Sequence, residues 1–337
     1  MENIYDVIII GSGPAGLTAG IYTSRGNRKT LLLAGRKWGG QLMLTTEVEN
    51  FPGFPEPIMG PELMKRMRDQ SIRYGTEILD ANVTSVNYAN KPFEVATDDE
   101  KKYYSKSVII ATGADTKWLQ IPGEEEKIGR GVSSCAPCDA AFYRNKKVIV
   151  VGGGDSAMEE ALVLTKFAEH VYIVHRRDSL KASDIMQKKA MDNEKISFIF
   201  NTAPAEIMGE LKVEKIKFTT TLAGGGIVFS EKGQVTTKQP QDLGGTEVSK
   251  TDTELTWEFP VDGVFVAIGH IPNSAIFEGI EHDDEGFIKQ YPGSKTNVEG
   301  VFVSGDVHDA RYMQGVTAAG FGCQAALDVE HYLEMAS

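Results

Sequence analysis

Two glycine-rich motifs, each placed between a short apolar strand and a helical pattern, constrain the fold of this chain most strongly. Residues 11–16 read GSGPAG after a β-branched run, and residues 152–157 read GGGDSA in the same setting. In such a turn one glycine allows a tight bend, a second lets backbone approach a pyrophosphate, and a third permits close helix–strand packing. The start of the following helix favours anions. The sequence therefore predicts two dinucleotide-binding turns, with ligand-free glycine turns as the alternative interpretation.

The regions around both motifs show the same alternation of elements. A strand–helix–strand pattern occupies residues 6–33 and recurs over residues 147–174. Such alternation is typical of parallel strands joined by crossover helices. The predicted fold class is therefore α/β, with two Rossmann-like domains. The segment 223–258 is polar, Gly- and Thr-rich and weakly patterned, and we expect it to form hairpins and loops at the edge of the second domain.

The composition excludes several classes of protein. The chain has 337 residues, 41% of them hydrophobic, which is enough for two packed domains. Its formal net charge of −12 argues against a nucleic-acid or anionic membrane surface, because both need a positive field. Three cysteines are too few for a secreted disulfide scaffold, and no signal peptide or membrane-length apolar run is evident. We therefore expect a cytoplasmic protein without membrane or nucleic-acid partners.

The residues at the end of the second strand of each unit indicate which dinucleotide is bound. The first unit has Ala34 where an acidic ribose partner is usual, and its ribose contact stays unexplained. The second has His175, Arg176 and Arg177 at the corresponding position. Guanidinium groups pair with a 2′-phosphate, whereas a carboxylate would repel it. This pattern predicts NADPH, with Lys181 as a further cation; a solvated basic strand end is the alternative.

A third motif pairs two thiols, in the order Cys135-Ala136-Pro137-Cys138-Asp139. Two cysteines separated by two residues can close a disulfide ring reversibly, and Asp139 could supply the proton that thiol–disulfide exchange requires. Half of a metal site and an inert structural pair are the alternatives. A metal site would need a second pair of ligands, so we expect no metal. Cys323 is assigned no chemistry.

Taken in order, these motifs resemble the low-molecular-weight thioredoxin reductases along nearly the whole chain. Further segments similar to that family's flavin-contacting segments are residues 39–42, 46–53, 108–114, 300–306 and 314–320. The resemblance implies an NADPH-binding domain, residues 118–259, inserted into an FAD-binding domain made of residues 1–117 and 260–337. It also implies a homodimer.

The motifs and the resemblance together assign residues to each cofactor. Those assigned to FAD are Gly11, Ser12, Gly13, Pro14, Ala15, Gly16, Gly35, Gly40, Gln41, Leu42, Asn50, Val83, Ala111, Thr112, Gly113, Gly305, Asp306, Met313, Gln314 and Gly315. Those assigned to NADPH are Gly152, Gly154, Asp155, Ser156, Ala157, His175, Arg176, Arg177 and Lys181. Three of these depart from the family pattern, since Met313, Gly315 and Lys181 stand where Arg, Ala and Arg are usual. The first two changes are expected to shift the flavin's reduction potential.

The resemblance implies an electron relay from NADPH through FAD to the Cys135–Cys138 disulfide, followed by dithiol exchange with thioredoxin. Cys138 would face the flavin, Cys135 would attack thioredoxin, and Asp139 would act as general acid. One alternative is a ferredoxin-dependent or oxidase-type flavin dithiol enzyme, although such relatives tend to lose the NADP motif. Another is a flavin redox sensor that works by binding a partner. The glutathione-reductase branch is disfavoured because no cysteine precedes Cys135.

The motifs at Gly11–Gly16, Ala111–Gly113 and Gly305–Asp306 jointly describe one FAD site and predict that the purified protein is yellow. Gly13→Val should abolish flavin retention, because its side chain fills the space that the pyrophosphate needs. The visible absorbance spectrum after purification measures this directly. A colourless wild-type protein that cannot be reconstituted with FAD would contradict the assignment.

Overall fold

The computed structural model describes residues 4–45, 47–222 and 226–336. Thr46 and residues 223–225, which belong to two of the segments considered above, lie outside the described residues. The chain separates into two compact units. Unit 1 comprises Met1–Asp115 and His270–Ser337, and unit 2 comprises Thr116–Gly269. Unit 2 is therefore inserted into unit 1.

The elements follow one another in chain order. Up to the first boundary they are β1 (Ile4–Ile10), α1 (Pro14–Arg25), β2 (Thr30–Leu33), β3 (Glu47–Val48), β4 (Ile58–Met59), α2 (Gly60–Arg73), β5 (Glu77–Leu79), β6 (Val83–Asn87), β7 (Phe93–Thr97), β8 (Lys102–Ile110) and β9 (Ala114–Thr116). Next come β10 (Val132–Ser133), α3 (Ala136–Asp139), β11 (Lys147–Val151), α4 (Asp155–Leu164), β12 (His170–Val174), α5 (Asp184–Met191), β13 (Ile196–Ile199), β14 (Thr202–Met208), β15 (Lys215–Thr221), β16 (Ile227–Glu231), β17 (Gln234–Lys238), β18 (Thr246–Lys250), β19 (Glu254–Pro260) and β20 (Gly263–Val266). The last elements are β21 (His270–Pro272), β22 (Val301–Val303) and α6 (Gly315–Met335).

Unit 1 is built on one sheet with the strand order β5-β2-β1-β8-β7-β6. Strands β5, β2, β1 and β8 run parallel, whereas β7 and β6 add an antiparallel meander. Strand β8 is long enough to pair with β7 through its first half and with β22, in parallel, through its last half. Val7 and Ile9 pack in a core with α1, α2 and α6, while Ile8 and Ile10 pack in a second core on the other face. Strand β1 is apolar throughout because both of its faces are covered.

Unit 2 is built on a second sheet with the order β10-β20-β11-β12-β13-β16-β17. Val148 and Val150 pack on the side of α4 and α5, and Ile149 and Val151 pack towards the antiparallel sheet β14-β15-β19-β18. The described part of the segment 223–258 forms hairpins, as predicted: β16 pairs with β17, and β18 with β19. Strand β20 lies between β10 and β11, so unit 2 continues past residue 259.

No helix among residues 4–45, 47–222 and 226–336 is both long enough and apolar enough to cross a membrane.

The glycine turn of unit 1 brings helix α1 against the backbone of the preceding strand. A Cβ atom added to Gly16 would lie 2.0 Å from the carbonyl oxygen of Gly11. A Cβ added to Gly11, whose φ is +112°, would lie 2.2 Å from the carbonyl oxygen of Ala111. Both contacts are to main-chain atoms that cannot rotate away, so the turn tolerates no side chain at either position.

This contact predicts that Gly16→Ala lowers the stability of the protein by about 1–3 kcal/mol, the usual cost of overpacking. Gly320→Ala is the matched control, because Gly320 lies at an exposed position inside α6 with open space around its Cα. That control should raise stability by about 0.5–1 kcal/mol. Thermal unfolding of both variants measures the difference, and equal melting temperatures would contradict the packing argument.

Candidate functional site

The first glycine turn lies where strand β1 gives way to helix α1. Gly13 precedes the helix, and Pro14 occupies its first turn, where no N–H is required. Nothing lies within 4 Å of a Cβ added to Gly13, so the turn is open at that point. The Ser12 hydroxyl is buried and donates to the carbonyl oxygen of Ala34 at 2.7 Å. The Ser12 hydrogen bond therefore holds the turn, and the space beside Gly13 stays open.

Other residues assigned to FAD surround this turn. A Cβ added to Gly40 would lie 3.4 Å from the Cα of Gly13. A Cβ added to Gly315, at the start of α6, would lie 3.2 Å from Leu42 and 3.9 Å from Pro14. Residues distant in sequence are thus brought together around the N-terminus of α1.

Asp306 comes directly after Gly305 in a short helical turn. Gly305 packs against Ala15 of α1. The Oδ1 atom of Asp306 is buried and finds no hydrogen-bond partner among the residues that the structure describes. Burial raises the pKa of Asp306 to about 7, and the nearby Asp309 carboxylate adds to the shift. A buried carboxyl oxygen without a donor is costly, and a ligand hydroxyl would satisfy it. This orphaned atom and the open space at Gly13 fit FAD.

The loop before α6 is shaped by Asp309, which the sequence reasoning did not single out. Its carboxylate accepts hydrogen bonds from the backbone N–H groups of Arg311, Tyr312 and Met313, at 3.0, 3.0 and 3.3 Å. Met313 adopts a left-handed conformation, with φ of 47°. Gln314 follows and accepts a hydrogen bond from the Asn50 amide at 3.3 Å. Asp309 is therefore the residue that fixes this flavin-assigned loop.

The turn after β8 is held by Asn273, another residue that the motifs missed. The Thr112 hydroxyl donates to the Asn273 carbonyl oxygen at 2.6 Å, and the Asn273 amide donates back to the Thr112 carbonyl oxygen at 3.2 Å. Ala111 is buried, and Gly113 has φ of +69° with open space beside it. The sequence contains no local signal for this pairing across 161 residues.

Three other residues assigned to FAD, Gln41, Gly35 and Val83, also lie in unit 1. The Gln41 amide donates to Asp115 at 2.9 Å, so its side chain has a partner in the protein. Gly35 has φ of +78° at the end of β2, and Val83 is half-buried at the start of β6.

The second glycine turn, in unit 2, has the loop 176–183 folded back on it. The backbone N–H of Lys181 donates to the Gly153 carbonyl oxygen at 2.7 Å, and Asp155 accepts from Ser183 N–H at 2.6 Å. A Cβ added to Gly153 would lie 2.4 Å from the imidazole of His175, so only glycine fits beneath that ring. Nothing lies within 4 Å of a Cβ added to Gly154, before helix α4.

Three cations lie near the His175 imidazole beside this turn. Burial lowers the pKa of His175, and the positive charges of Arg177, Arg176 and Lys181 lower it further, whereas a hydrogen bond that the imidazole donates to the backbone of Ser179 raises it. All three cationic side chains are exposed. All three charges therefore lie near the same imidazole, and a dianionic phosphate fits this donor set. Ser156 and Ala157 begin α4 beside it.

The redox pair lies in unit 2 as a closed disulfide between Cys135 and Cys138, with a Cα–Cα distance of 5.3 Å. The N–H groups of Cys138 and Asp139 donate to the Cys135 carbonyl oxygen at 3.2 and 3.1 Å. These two hydrogen bonds form the short helix α3. The Cys135 N–H donates to Ser133 Oγ at 3.1 Å. Both cysteines are half-buried. The pair is therefore held rigidly and retains access to solvent.

Asp139 is placed to hold a proton beside this pair. Burial raises the pKa of Asp139, and a hydrogen bond with Ser133 opposes the shift. A carboxyl group with a raised pKa stays protonated nearer to neutral pH, as a general acid must. Among the described ranges 4–45, 47–222 and 226–336, no group of three His, Cys, Asp or Glu side chains could hold a metal ion.

Two Rossmann-type units with a disulfide on the inserted one define a dinucleotide-dependent disulfide oxidoreductase. The sequence profile of the family "Pyridine nucleotide-disulphide oxidoreductase" matches residues 5–322. The chain therefore belongs to the pyridine nucleotide-disulphide oxidoreductase family. The predicted fold class, with an NADPH-type domain inserted into an FAD-type domain, is confirmed.

Several thioredoxin reductases are similar to this chain over nearly its whole length. A thioredoxin reductase of Rickettsia felis is 45% identical over 97% of each chain. A bifunctional thioredoxin reductase/thioredoxin of Mycobacterium leprae is 42% identical over 98% of this chain and 66% of its own. The solved thioredoxin reductase from Giardia duodenalis superposes with a TM-score of 0.85 at 38% identity, covering 99% of this chain and 100% of that one. The resemblance to thioredoxin reductases is thus confirmed.

The cations near His175 yield a prediction. Replacing both Arg176 and Arg177 by Met should raise the KM for NADPH by about a hundredfold, since each charge-assisted hydrogen bond contributes about 1.5–3 kcal/mol. The KM for NADH, which lacks the 2′-phosphate, should change little. Arg144→Met is the matched control, because Arg144 is an exposed arginine of the same unit. Steady-state kinetics with both cofactors measures the effect, and equal losses with NADPH and NADH would contradict the assignment.

Proposed function

We propose that the chain is a thioredoxin-disulfide reductase, an NADPH-dependent flavoprotein that reduces oxidised thioredoxin through the Cys135–Cys138 pair. The observation that carries the proposal is the half-buried disulfide of unit 2, on the same unit as a glycine turn that contacts His175, whose pKa three nearby cations lower. A reversible dithiol beside a dinucleotide turn is what a disulfide reductase requires. The relatives named above carry the same function in their names.

Unit 1 would hold FAD. The open turn at Gly13 would admit the pyrophosphate, and the orphaned oxygen of Asp306 would accept from the ribityl chain. The Asp309-fixed loop would place Met313 and Gln314 by the isoalloxazine. Bound FAD supplies two-electron transfer between a nicotinamide and a disulfide.

Unit 2, in our proposal, is the NADPH domain. The turn at Gly152–Gly154 and the start of α4 would receive the pyrophosphate. Arg176, Arg177 and Lys181 would bind the 2′-phosphate, and the His175 imidazole, neutral because of its lowered pKa, would pack against the turn without adding charge.

The cysteines act in two stages. In the first, an electron pair enters the disulfide, the S–S bond breaks, and Asp139 gives a proton to one of the two sulfurs. In the second, the Cys135 thiolate attacks the thioredoxin disulfide and forms a mixed disulfide. The Cys138 sulfur, as a thiolate, then attacks Cys135, which restores the pair and releases reduced thioredoxin. The two thioredoxin sulfurs leave as thiolates and take up protons, one that the Cys138 thiol loses and one from solvent, and solvent restores the proton of Asp139.

The partner and setting are part of the same proposal. The Mycobacterium leprae relative, whose name joins a thioredoxin reductase and a thioredoxin, supports thioredoxin as the substrate. The family resemblance supports a homodimer, and the low cysteine count supports the cytoplasm. The cations around His175 favour NADPH over ferredoxin as the electron source.

The cysteine roles predict that Cys135→Ser and Cys138→Ser each abolish thioredoxin-dependent NADPH oxidation while the protein still retains FAD. Cys323→Ser is the matched control, because Cys323 lies in α6 of unit 1 and should leave turnover unchanged. NADPH consumption with and without oxidised thioredoxin measures all three variants. Full turnover in either pair variant would contradict the dithiol role. A wild type that consumes one equivalent and stops would indicate a redox sensor instead.

A further inference from the structure

A second carboxyl group, that of Glu160, contacts the redox segment and belongs to none of the motifs. The Glu160 carboxylate accepts a hydrogen bond from the backbone N–H of Ala136. That N–H is part of the peptide bond that joins Ala136 to Cys135. Ala136 is fully buried and lies between the two cysteines. Glu160 therefore bonds directly to the backbone of the disulfide ring.

This contact follows from the packing of α3 against α4. Ala136 opens helix α3, and an amide in the first turn of a helix has no acceptor within the helix. Because the site is buried, the amide needs another acceptor. Glu160 supplies it from the second turn of α4, the helix that begins at the second glycine turn. The neighbouring Glu159 is exposed to solvent.

Burial and nearby charges bring the pKa of Glu160 close to neutral pH. Burial raises the pKa of Glu160 to about 7; the Ala136 N–H opposes this shift, and the negative charges of Asp139 on α3 and Glu159 on α4 add to it. Burial raises the pKa of Tyr143, on the turn that follows α3, and the charges of Asp139 and Asp262 raise it further, so Tyr143 stays neutral. A further negative charge nearby would favour the protonated form of Glu160.

We propose that Glu160 is a positioning residue of the redox pair, whose carboxyl group holds the first turn of α3 and takes up a proton when the disulfide is reduced. The inference rests on the proposed function. An electron pair breaks the S–S bond and leaves one sulfur as a thiolate, while the other takes the proton from Asp139. The new thiolate charge then draws a proton from solvent onto the Glu160 carboxylate. The electron pair comes from NADPH by way of FAD, as in the proposed function, and the two protons come from Asp139 and from solvent.

Proton uptake at Glu160 makes reduction of the pair more dependent on pH. Each additional proton bound on reduction changes the reduction equilibrium by up to tenfold per pH unit, about 30 mV for this two-electron couple. The Glu160 pKa lies near 7 in the oxidised protein and rises on reduction. The additional proton uptake therefore occurs at pH 7 and above. Lowering the pH through this range favours the dithiol.

Glu160→Gln tests the inference, because its amide oxygen can still accept from Ala136 N–H but cannot take up a proton. The holoenzyme is equilibrated anaerobically with fixed ratios of reduced and oxidised dithiothreitol at pH 6, 7 and 8. Acid quenching, alkylation and mass spectrometry of the peptide with Cys135 and Cys138 give the reduced fraction. Between pH 6 and pH 8 the reduction equilibrium of the wild type should fall about tenfold further than that of Glu160→Gln.

Glu169→Gln is the matched control, because Glu169 is an exposed glutamate of the same unit whose charge does not contribute to the Glu160 pKa, and it should follow the wild-type pH dependence. Parallel pH dependences for the wild type and Glu160→Gln would overturn the inference. Thioredoxin-dependent NADPH oxidation by the same wild-type preparation separates this result from a failure of the proposed function. Normal turnover with parallel pH dependences would refute only the role of Glu160. Absence of turnover would refute the proposed function itself.

Discussion

The structure depends on backbone packing at its two glycine turns. In unit 1, helix α1 approaches β1 so closely that a Cβ on Gly16 would meet the Gly11 carbonyl oxygen at 2.0 Å. In unit 2, a Cβ on Gly152 would lie 2.3 Å from the carbonyl oxygen of Ala267, just past β20. Each contact sets the first turn of a helix at the carboxyl end of a central strand, which is where ligands bind in open α/β sheets. The space beside Gly13 and Gly154 is a consequence of that placement.

The same packing ties dinucleotide binding to the redox pair within unit 2. Helix α4 begins at the second glycine turn, and its Glu160 reaches the peptide of Cys135 and Ala136. The inserted unit therefore joins the NADPH-type turn and the disulfide through one short helix. Asp139 and Glu160 both have raised pKa values, chiefly because they are buried. In our proposal Asp139 supplies a proton to disulfide reduction, and Glu160 takes one up from solvent.

Local patterns predicted the glycine turns, the strands around them, the redox pair and the basic strand end, because each is written in consecutive residues. They did not predict Asp309, Asn273 or Glu160. These residues act through contacts across loops or between elements, such as the 161-residue separation of Thr112 and Asn273, and single-sequence patterns contain no such information. The segment 223–258 was predicted to form hairpins, but its division between two sheets follows from pairing with β13 and β15. The cofactor residues assigned by motif stay predictions, supported by the open turns and by the orphaned oxygen of Asp306.

The central claim is that electrons from NADPH reach the Cys135–Cys138 disulfide through FAD. The most direct test is to mix the FAD-loaded protein anaerobically with excess NADPH in the absence of thioredoxin, quench with acid, alkylate, and determine the mass of the peptide with both cysteines. The account predicts that both cysteines become alkylated only when NADPH and FAD are present, whereas Cys323 is alkylated under all conditions once the protein is unfolded. A pair that stays oxidised while NADPH fully reduces the flavin would contradict the account.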